Sequence, residues 1–233
     1  RSEWKEKIAE EVEGVPVPKG FTYKEGTKDT GLVIQDAKGN EFVWVPANES
    51  TYVKDTSFPS RDNIKPTGDD TLPNGITEET VDVKKYGGFY IGRYEAGIPE
   101  GDTSPSNKTG IPVSKKGEIV WSGINYTNAK ANAEKMINNE YVQTGLLTGK
   151  AWDTVCHWIK SDDELKDSRT YGNYYENSGT KRTAGFNEKW KVKNIYDLAG
   201  NVWEWTSEAH SSYFINRGGG YNSDYPVSYR HLR

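Results

Sequence analysis

The sequence predicts an α+β fold in which two helices pack on short antiparallel sheets joined by many irregular loops. Residues 32–36 and 41–46 are two β-rich runs on either side of a Lys-Gly-Asn turn at 38–40, the pattern of a β-hairpin. Two later segments carry apolar residues at the spacing of one helical face. These residues are Ala129, Ala133, Met136 and Ile137 in the first helix, and Ala151, Trp152, Val155, Cys156 and Ile159 in the second.

The remaining elements follow from turn residues and local composition. Residues 2–12 are charged and weakly amphipathic and precede a Gly- and Pro-containing stretch, so residues 1–20 are predicted to be a short helix and linker from an upstream domain. One domain then spans residues 21–233. Within it, residues 48–85 are polar and are expected to form a surface excursion, whereas residues 88–95 read as a strand.

The helix boundaries are also predicted from sequence. Thr127 is a suitable N-cap for the first helix, and the second is expected to open at residues 148–150. Residues 171–189 show neither helical nor strand periodicity, and loops of that length inside a compact domain usually hold a ligand or an ion.

Composition excludes several classes of function. The net charge is −4 and no Lys/Arg cluster is present, so the chain lacks the electrostatic footprint of a nucleic-acid-binding protein. No apolar run is long enough for membrane insertion. Cys156, the single cysteine, excludes a disulfide framework and is interpreted as a buried structural thiol.

The C-terminal tail has an unusual composition. Residues 210–233 contain no Lys, Glu, Gln, Met or Trp, although these five types supply 53 of the 209 residues before them. An Asn codon whose adenines are replaced at random never encodes any of the five. The tail is instead rich in Tyr, Ser and Asn, a mixture that suits a binding surface because Tyr gives rigid contact area and Ser and Asn adapt their hydrogen bonds. A Gly/Ser/Asn-rich loop that only turns the chain is the alternative.

The most specific motif is residues 194–206, Asn-Ile-Tyr-Asp-Leu-Ala-Gly-Asn-Val-Trp-Glu-Trp-Thr, followed by Arg-Gly-Gly-Gly-Tyr at 217–221. At these residues the chain resembles the formylglycine-generating enzyme (sulfatase-modifying factor) family, with weaker similarity from about residue 30 onward. The resemblance implies a C-type-lectin-like fold. It does not carry the chemistry.

The family's oxidase holds copper with two cysteines placed shortly after the Arg-Gly-Gly stretch, and residues 220–233 contain no cysteine. Neither copper nor enzyme activity is therefore expected. A related branch uses iron held by histidines, but His157, His210 and His231 lack the spacing of a ligand pair, so no iron is expected either.

The resemblance also implies a calcium site at Asp197, Gly200, Val202 and Glu204, where two side chains and two backbone carbonyls would supply hard oxygen ligands. The alternative is that Asp197 and Glu204 cap turns and pair with Arg217 or a lysine. A second calcium site of the family would match Asn173 and the carbonyls of Tyr174 and Phe186. Because Ala184 replaces an expected Asp, this second site is predicted to be weakened or lost.

One branch of the family fits the tail composition. The chain looks like a variable protein of a diversity-generating retroelement, of the phage or prophage type, whose residues 206–233 form the variable binding region. Arg217, Gly218, Tyr221, Pro226, Ser228 and Arg230 would be framework, while Trp203 and Trp205 would face alternately inward and under the patch. The ligand-binding positions would be Tyr213, Phe214, Ile215, Asn216, Gly220, Asn222, Ser223, Asp224, Tyr225, Tyr229, His231 and Leu232.

This interpretation predicts a protein or glycan ligand on a host or target surface, and a location on a virion or a bacterial cell surface. Two alternatives remain open at this point. One is an undiversified phage structural protein of the same fold, and the other is an enzyme of the family with an atypical site.

Overall fold

The computed structural model describes residues 4–54, 68–69, 75–160, 172–210 and 213–223. In this part of the chain the architecture is mixed α+β, with three α-helices and several short antiparallel sheets. The strands are β1 (Ile8–Val12), β2 (Val15–Pro18), β3 (Phe21–Glu25), β4 (Val33–Asp36), β5 (Glu41–Pro46), β6 (Gly68–Asp69), β7 (Gly88–Gly92), β8 (Lys191–Val192), β9 (Ile195–Tyr196), β10 (Glu204–His210) and β11 (Tyr213–Arg217). The helices are α1 (Gly75–Tyr86), α2 (Tyr126–Met136) and α3 (Gly149–Lys160).

The largest sheet has the strand order β3-β4-β5-β7, and every neighbouring pair is antiparallel. The predicted hairpin is confirmed as β4 and β5, with Gly39 in the left-handed region at φ 88°. The strand predicted at residues 88–95 is confirmed over its first part as β7, which pairs with β5 through Val43↔Ile91 and Val45↔Phe89. The two faces of this sheet contribute to two separate hydrophobic clusters.

The helix predicted at residues 2–12 is wrong, because residues 8–12 form β1 and pair antiparallel with β2. Glu13 and Gly14 connect the strands with φ of 52° and 79°. Two successive residues with positive φ give a turn whose twist matches that of a hairpin. Val15 and Val17 are buried and pack into the cluster that contains Leu32 and Trp44, so this hairpin lies against the main sheet.

The three helices show where local sequence signals were strong or weak. Residues 75–86 were expected to belong to a polar excursion but form α1, whose Val83 is buried. Helix α2 begins two residues earlier than a Thr127 cap allows, because the Asn125 side chain accepts a hydrogen bond from the Asn128 backbone N–H. Helix α3 carries the predicted apolar face, and all five of its residues are at most 2% exposed: Ala151, Trp152, Val155, Cys156 and Ile159.

The C-terminal hairpin consists of β10 and β11, with β6 on the other side of β10. Residues 172–187 contain turns and bends but no helix or strand, as the lack of periodicity over residues 171–189 predicted, whereas Glu188–Trp190 form a short 3-10 helix. One end of the hairpin is fixed by Arg217, which is fully buried and forms ion pairs with Asp153 of α3 at 2.7 Å and with Glu208 of β10. Burial alone would lower the pKa of the Arg217 guanidinium, but the attraction of Glu208 and Asp153 outweighs the effect of burial and raises this pKa.

Replacement of Arg217 by Ala should strongly destabilise the protein. The substitution removes the guanidinium that both buried carboxylates, Asp153 and Glu208, share, and breaking a buried ion pair from one side costs about 3–5 kcal/mol. Arg182→Ala is the control, because that guanidinium is exposed and stacks over Phe186 at 4.7 Å. Its loss should be below about 1 kcal/mol. Urea unfolding measures both, and similar losses for the two variants would contradict the structural role of Arg217.

Candidate functional site

The motif loop, residues 197–204, connects β9 to β10 and turns sharply at three left-handed residues. Asp197, Gly200 and Asn201 have φ of 56°, 81° and 61°. Asp, Asn and Gly are the residue types that adopt this conformation most readily. The Gly200 N–H donates to the Gly218 carbonyl at 2.7 Å, so the loop is tied to the segment that follows β11.

Two carboxylates of the motif loop have oxygens without a hydrogen-bond partner. Asp197 is 1% exposed; its Oδ2 accepts a hydrogen bond from the Gly185 N–H at 2.9 Å, but its Oδ1 accepts none. The Glu204 Oε2 atom is likewise inaccessible to solvent and has no partner. This oxygen lies against Gly218, where any Cβ would overlap it. Buried carboxylate oxygens without donors are a feature that a bound cation can account for.

A third carboxylate, Glu95, reaches the motif loop from the segment after β7. Its Oε1 accepts from the Val202 N–H at 3.1 Å, and its Oε2 accepts from the Asn201 side-chain amide at 2.6 Å. Glu95 is not among the site residues predicted from the sequence, because more than a hundred residues separate it from the loop. Only the similarity of residues 89–95 to the family pointed to this segment, and it assigned no role to the glutamate.

Burial raises the pKa of all three carboxylates, and repulsion between them adds to the shift at Glu95 and Glu204. Burial raises the pKa of Glu95 well above its usual value, and repulsion from Asp197 adds to the shift. Burial raises the pKa of Asp197 to about 6. The pKa of Glu204 is also raised, first by burial and then by repulsion from Glu95 and Asp197. In the metal-free protein the ionised forms of these three carboxylates are therefore disfavoured.

The donor set fits a calcium ion better than it fits a transition metal. Among the described residues, no three His, Cys, Asp or Glu side chains are grouped so that they alone could hold a metal. A hard cation at the motif loop would need the Asp197 and Glu204 side chains together with backbone carbonyls, as the Gly200 and Val202 positions offer. The alternative pairing of these acids with Arg217 is not what the structure shows, since Arg217 binds Asp153 and Glu208.

The second calcium position predicted from the resemblance is less complete. Asn173 is fully buried, and its amide nitrogen donates to the Thr180 carbonyl and to Asn201 Oδ1. The Tyr174 carbonyl accepts hydrogen bonds from three backbone N–H groups, those of residues 177–179. Ala184 is buried and adds no ligand.

Several of the proposed ligand-binding positions lie on the surface of the β10–β11 hairpin and the segment after it. Tyr213 is 74% exposed and Phe214 is 39% exposed. Asn216 and Asn222 are also exposed, Ile215 and Ser223 are half-buried, and Gly220 is buried. The remaining predicted positions lie outside the described residues: Asp224, Tyr225, Tyr229, His231 and Leu232.

Framework aromatic residues support this surface. The Phe214 ring stacks on Tyr126 of α2 with a centroid distance of 3.5 Å, and Trp205 meets the same tyrosine edge-on at 5.9 Å. The Trp205 indole donates to the Ile124 carbonyl at 3.0 Å. Trp203 is 37% exposed and lies beside Gly220. The expectation that one of these tryptophans faces inward is wrong, because Trp203 is exposed and Trp205 is only half-buried.

No protein-family model matches the chain, and no curated protein matches it.

Cys156, the single cysteine, is buried in α3. Within the described part of the structure, no helix is both long and apolar enough to cross a membrane.

The metal-free protein should lose stability as the pH rises from about 4 to about 6. The pKa of Asp197 is 3.8 when unperturbed and about 6 in the fold, so between these values the folded state keeps a proton that the unfolded state has released. The free energy of unfolding therefore falls as the pH rises through this range. The loss is about 3 kcal/mol, because a difference of one pKa unit between the folded and unfolded states corresponds to roughly 1.4 kcal/mol. Unfolding in chelator across this range measures the slope.

Asp197→Asn is the matched control for this pH dependence. Asn tolerates the φ of 56° at this position and cannot ionise, so the variant should lack the part of the slope that Asp197 contributes. An unchanged slope in the variant, or stability that rises with pH in the wild type over this range, would show that Asp197 is not the group responsible.

Proposed function

We propose that this chain is a non-catalytic ligand-binding protein that presents residues 206–233 as a diversified surface. The fold would be C-type-lectin-like, of the formylglycine-generating enzyme type, and the protein would be a retroelement variable protein of a phage or prophage. The observation that carries the proposal is the exposure of Tyr213 and Phe214 at one end of a hairpin whose other end is fixed by the buried Arg217 ion pairs.

The surface combines variable and constant parts in a way that suits exchangeable binding. Exposed side chains such as Tyr213, Asn216 and Asn222 can change without disturbing the core. Tyr126 stacks on Phe214 and supports it, and Trp205 in turn packs edge-on against Tyr126. Tyr and Asn supply contact area and adaptable hydrogen bonds, so a protein or glycan on a host or target surface is the proposed partner.

The proposed absence of catalysis rests on the cysteines. The family's oxidase needs two thiolates after the Arg-Gly-Gly stretch, whereas the only thiol here, that of Cys156, is buried on the core face of α3. No copper or iron is proposed. The inferred location on a virion or bacterial surface follows from the proposed role.

Calcium is the proposed cofactor of the motif loop. The Asp197 and Glu204 side chains would bind it together with the carbonyls of Gly200 and Val202. Bound Ca²⁺ would supply positive charge to a loop that carries buried, mutually repelling carboxylates. These residues would hold the loop in the conformation that places Trp203 beside the variable surface.

Randomising Tyr213, Asn216 and Asn222 together should leave the protein folded. All three side chains are exposed, and surface substitutions usually change stability by less than about 0.5 kcal/mol each. A library of this kind, displayed on cells and sorted first for resistance to proteolysis, should retain most of its members. Sorting against immobilised bacterial surface proteins and glycans should then give binders whose specificity changes with these residues.

Randomising Gly218 provides the matched control from the same segment. Its φ of 95° disfavours other residues, and a Cβ would overlap Glu204, so most of these variants should unfold. If the three-position library lost stability as the Gly218 library does, these residues would be structural and the proposed variable surface would be wrong. A folded library that never yields a binder would favour the undiversified structural protein.

Addition of Ca²⁺ should raise the melting temperature of the wild type. A ligand that binds only the folded state stabilises it by about 2.7 kcal/mol at a concentration of 100 times Kd. Asp197→Asn and Glu204→Gln should greatly reduce the shift, because each replaces a negatively charged ligand with a neutral amide oxygen. Glu188→Gln is the control, since this exposed glutamate pairs with Lys116 and Lys191 instead. A Ca²⁺ shift that persists in full in both ligand variants would place the ion elsewhere.

A further inference from the structure

Glu95 joins the rigid part of the fold to the motif loop. The residue is 7% exposed and follows β7 in a segment that is fixed on both sides. The buried guanidinium of Arg93 pairs with Glu25 at 2.6 Å and with Glu41 of β5 at 3.1 Å. The Tyr94 ring stacks on Tyr196 of β9 with a centroid distance of 5.0 Å. The Glu95 carboxylate therefore projects from a backbone that has little freedom to shift.

Both oxygens of Glu95 are used by the motif loop. One accepts from the Val202 N–H, and the other accepts from the Asn201 side-chain amide. Both Glu95 oxygens are thus engaged by the loop itself, unlike Asp197 Oδ1 and Glu204 Oε2, which have no hydrogen-bond partner. The contacts of Glu95 fix the peptide between Asn201 and Val202, and thereby the direction of the neighbouring carbonyls.

Asn201 also connects the motif loop to other segments through hydrogen bonds. Its Oδ1 atom accepts from the Asn173 amide and from the Arg182 N–H, and its backbone carbonyl accepts from the Tyr221 N–H at 2.8 Å. The last contact reaches the segment just after the Arg-Gly-Gly stretch. A shift of Asn201 would therefore move both the motif loop and the beginning of the proposed variable tail.

We infer that Glu95 is a positioning residue for the cation of the motif loop, acting through Asn201 and Val202 without touching the ion. This inference rests on the proposed calcium site and adds a residue that the resemblance did not assign. Residues that orient ligands through hydrogen bonds commonly contribute a factor of 10 to 100 to metal affinity. The carboxylate is required because it can accept from two donors on the loop at once, whereas an amide offers one acceptor and one donor.

The decisive experiment compares Ca²⁺ affinity in the wild type, Glu95→Gln and Ile34→Val, by competition with a chromophoric chelator at one temperature where all three are folded. Ile34 is buried in the cluster that contains Trp44, so its truncation weakens the core without touching the motif loop. We expect Glu95→Gln to raise the Kd for Ca²⁺ by 10- to 100-fold and Ile34→Val to leave it unchanged, although both lower the melting temperature.

The alternative results are distinguishable. A Glu95→Gln variant that binds Ca²⁺ within twofold of the wild type would show that Glu95 serves folding alone, and this inference would be wrong while the calcium site stands. A wild type that binds no Ca²⁺ would overturn the calcium proposal itself. If Glu95→Gln does not fold, Asn201→Gly breaks the same contact from the other side and suits the φ of 61°; unchanged affinity in that variant would equally overturn the inference.

Discussion

The buried ion pairs of Arg217 are the constraint on which the C-terminal half of the structure depends. A single guanidinium connects the end of β11 to Glu208 in β10 and to Asp153 in α3. If the hairpin moved away from the helix, these three charges would lose their partners in a poorly solvating interior. Glu208 also pairs with Lys54, which brings a fourth charged group to the same region. The exposed Tyr213 and Asn216 of β11 take no part in these ion pairs.

Opposite charges attract one another in the Arg217 network, whereas the motif loop brings together carboxylates that repel one another. Glu95 comes from the segment after β7, Asp197 and Glu204 come from the motif loop itself, and burial raises the pKa of each. Such an arrangement destabilises the metal-free fold at neutral pH, and a site that binds a ligand commonly carries a local penalty of this kind. The loop and the Arg217 network meet at Gly218, whose carbonyl accepts from Gly200 and whose missing side chain leaves room for Glu204.

The elements that could be predicted from sequence are those whose signals are local and redundant. The β4–β5 hairpin has alternating strands and a Gly turn, and α3 has five apolar residues on one face. By contrast, Val83 is the one buried residue among residues 79–86 of α1, so its apolar face is narrow there, and the Glu-rich sequence of β1 is also compatible with an exposed helix. The site shows the same division: Asp197 and Glu204 lie within one motif, whereas Glu95 is joined to them only by the fold.

Phe214 rests on the first residue of α2 through its stacked contact with Tyr126. A replacement that cannot stack on Tyr126 would lose this contact at the start of the helix, whereas the neighbouring Tyr213 touches solvent over most of its area. Flat side chains preserve the stack, and β-branched ones fit it poorly. The two adjacent positions should therefore tolerate substitution differently during evolution. Epistasis between residues 126 and 214 should limit the residue types accepted at position 214, whereas position 213 should accept many.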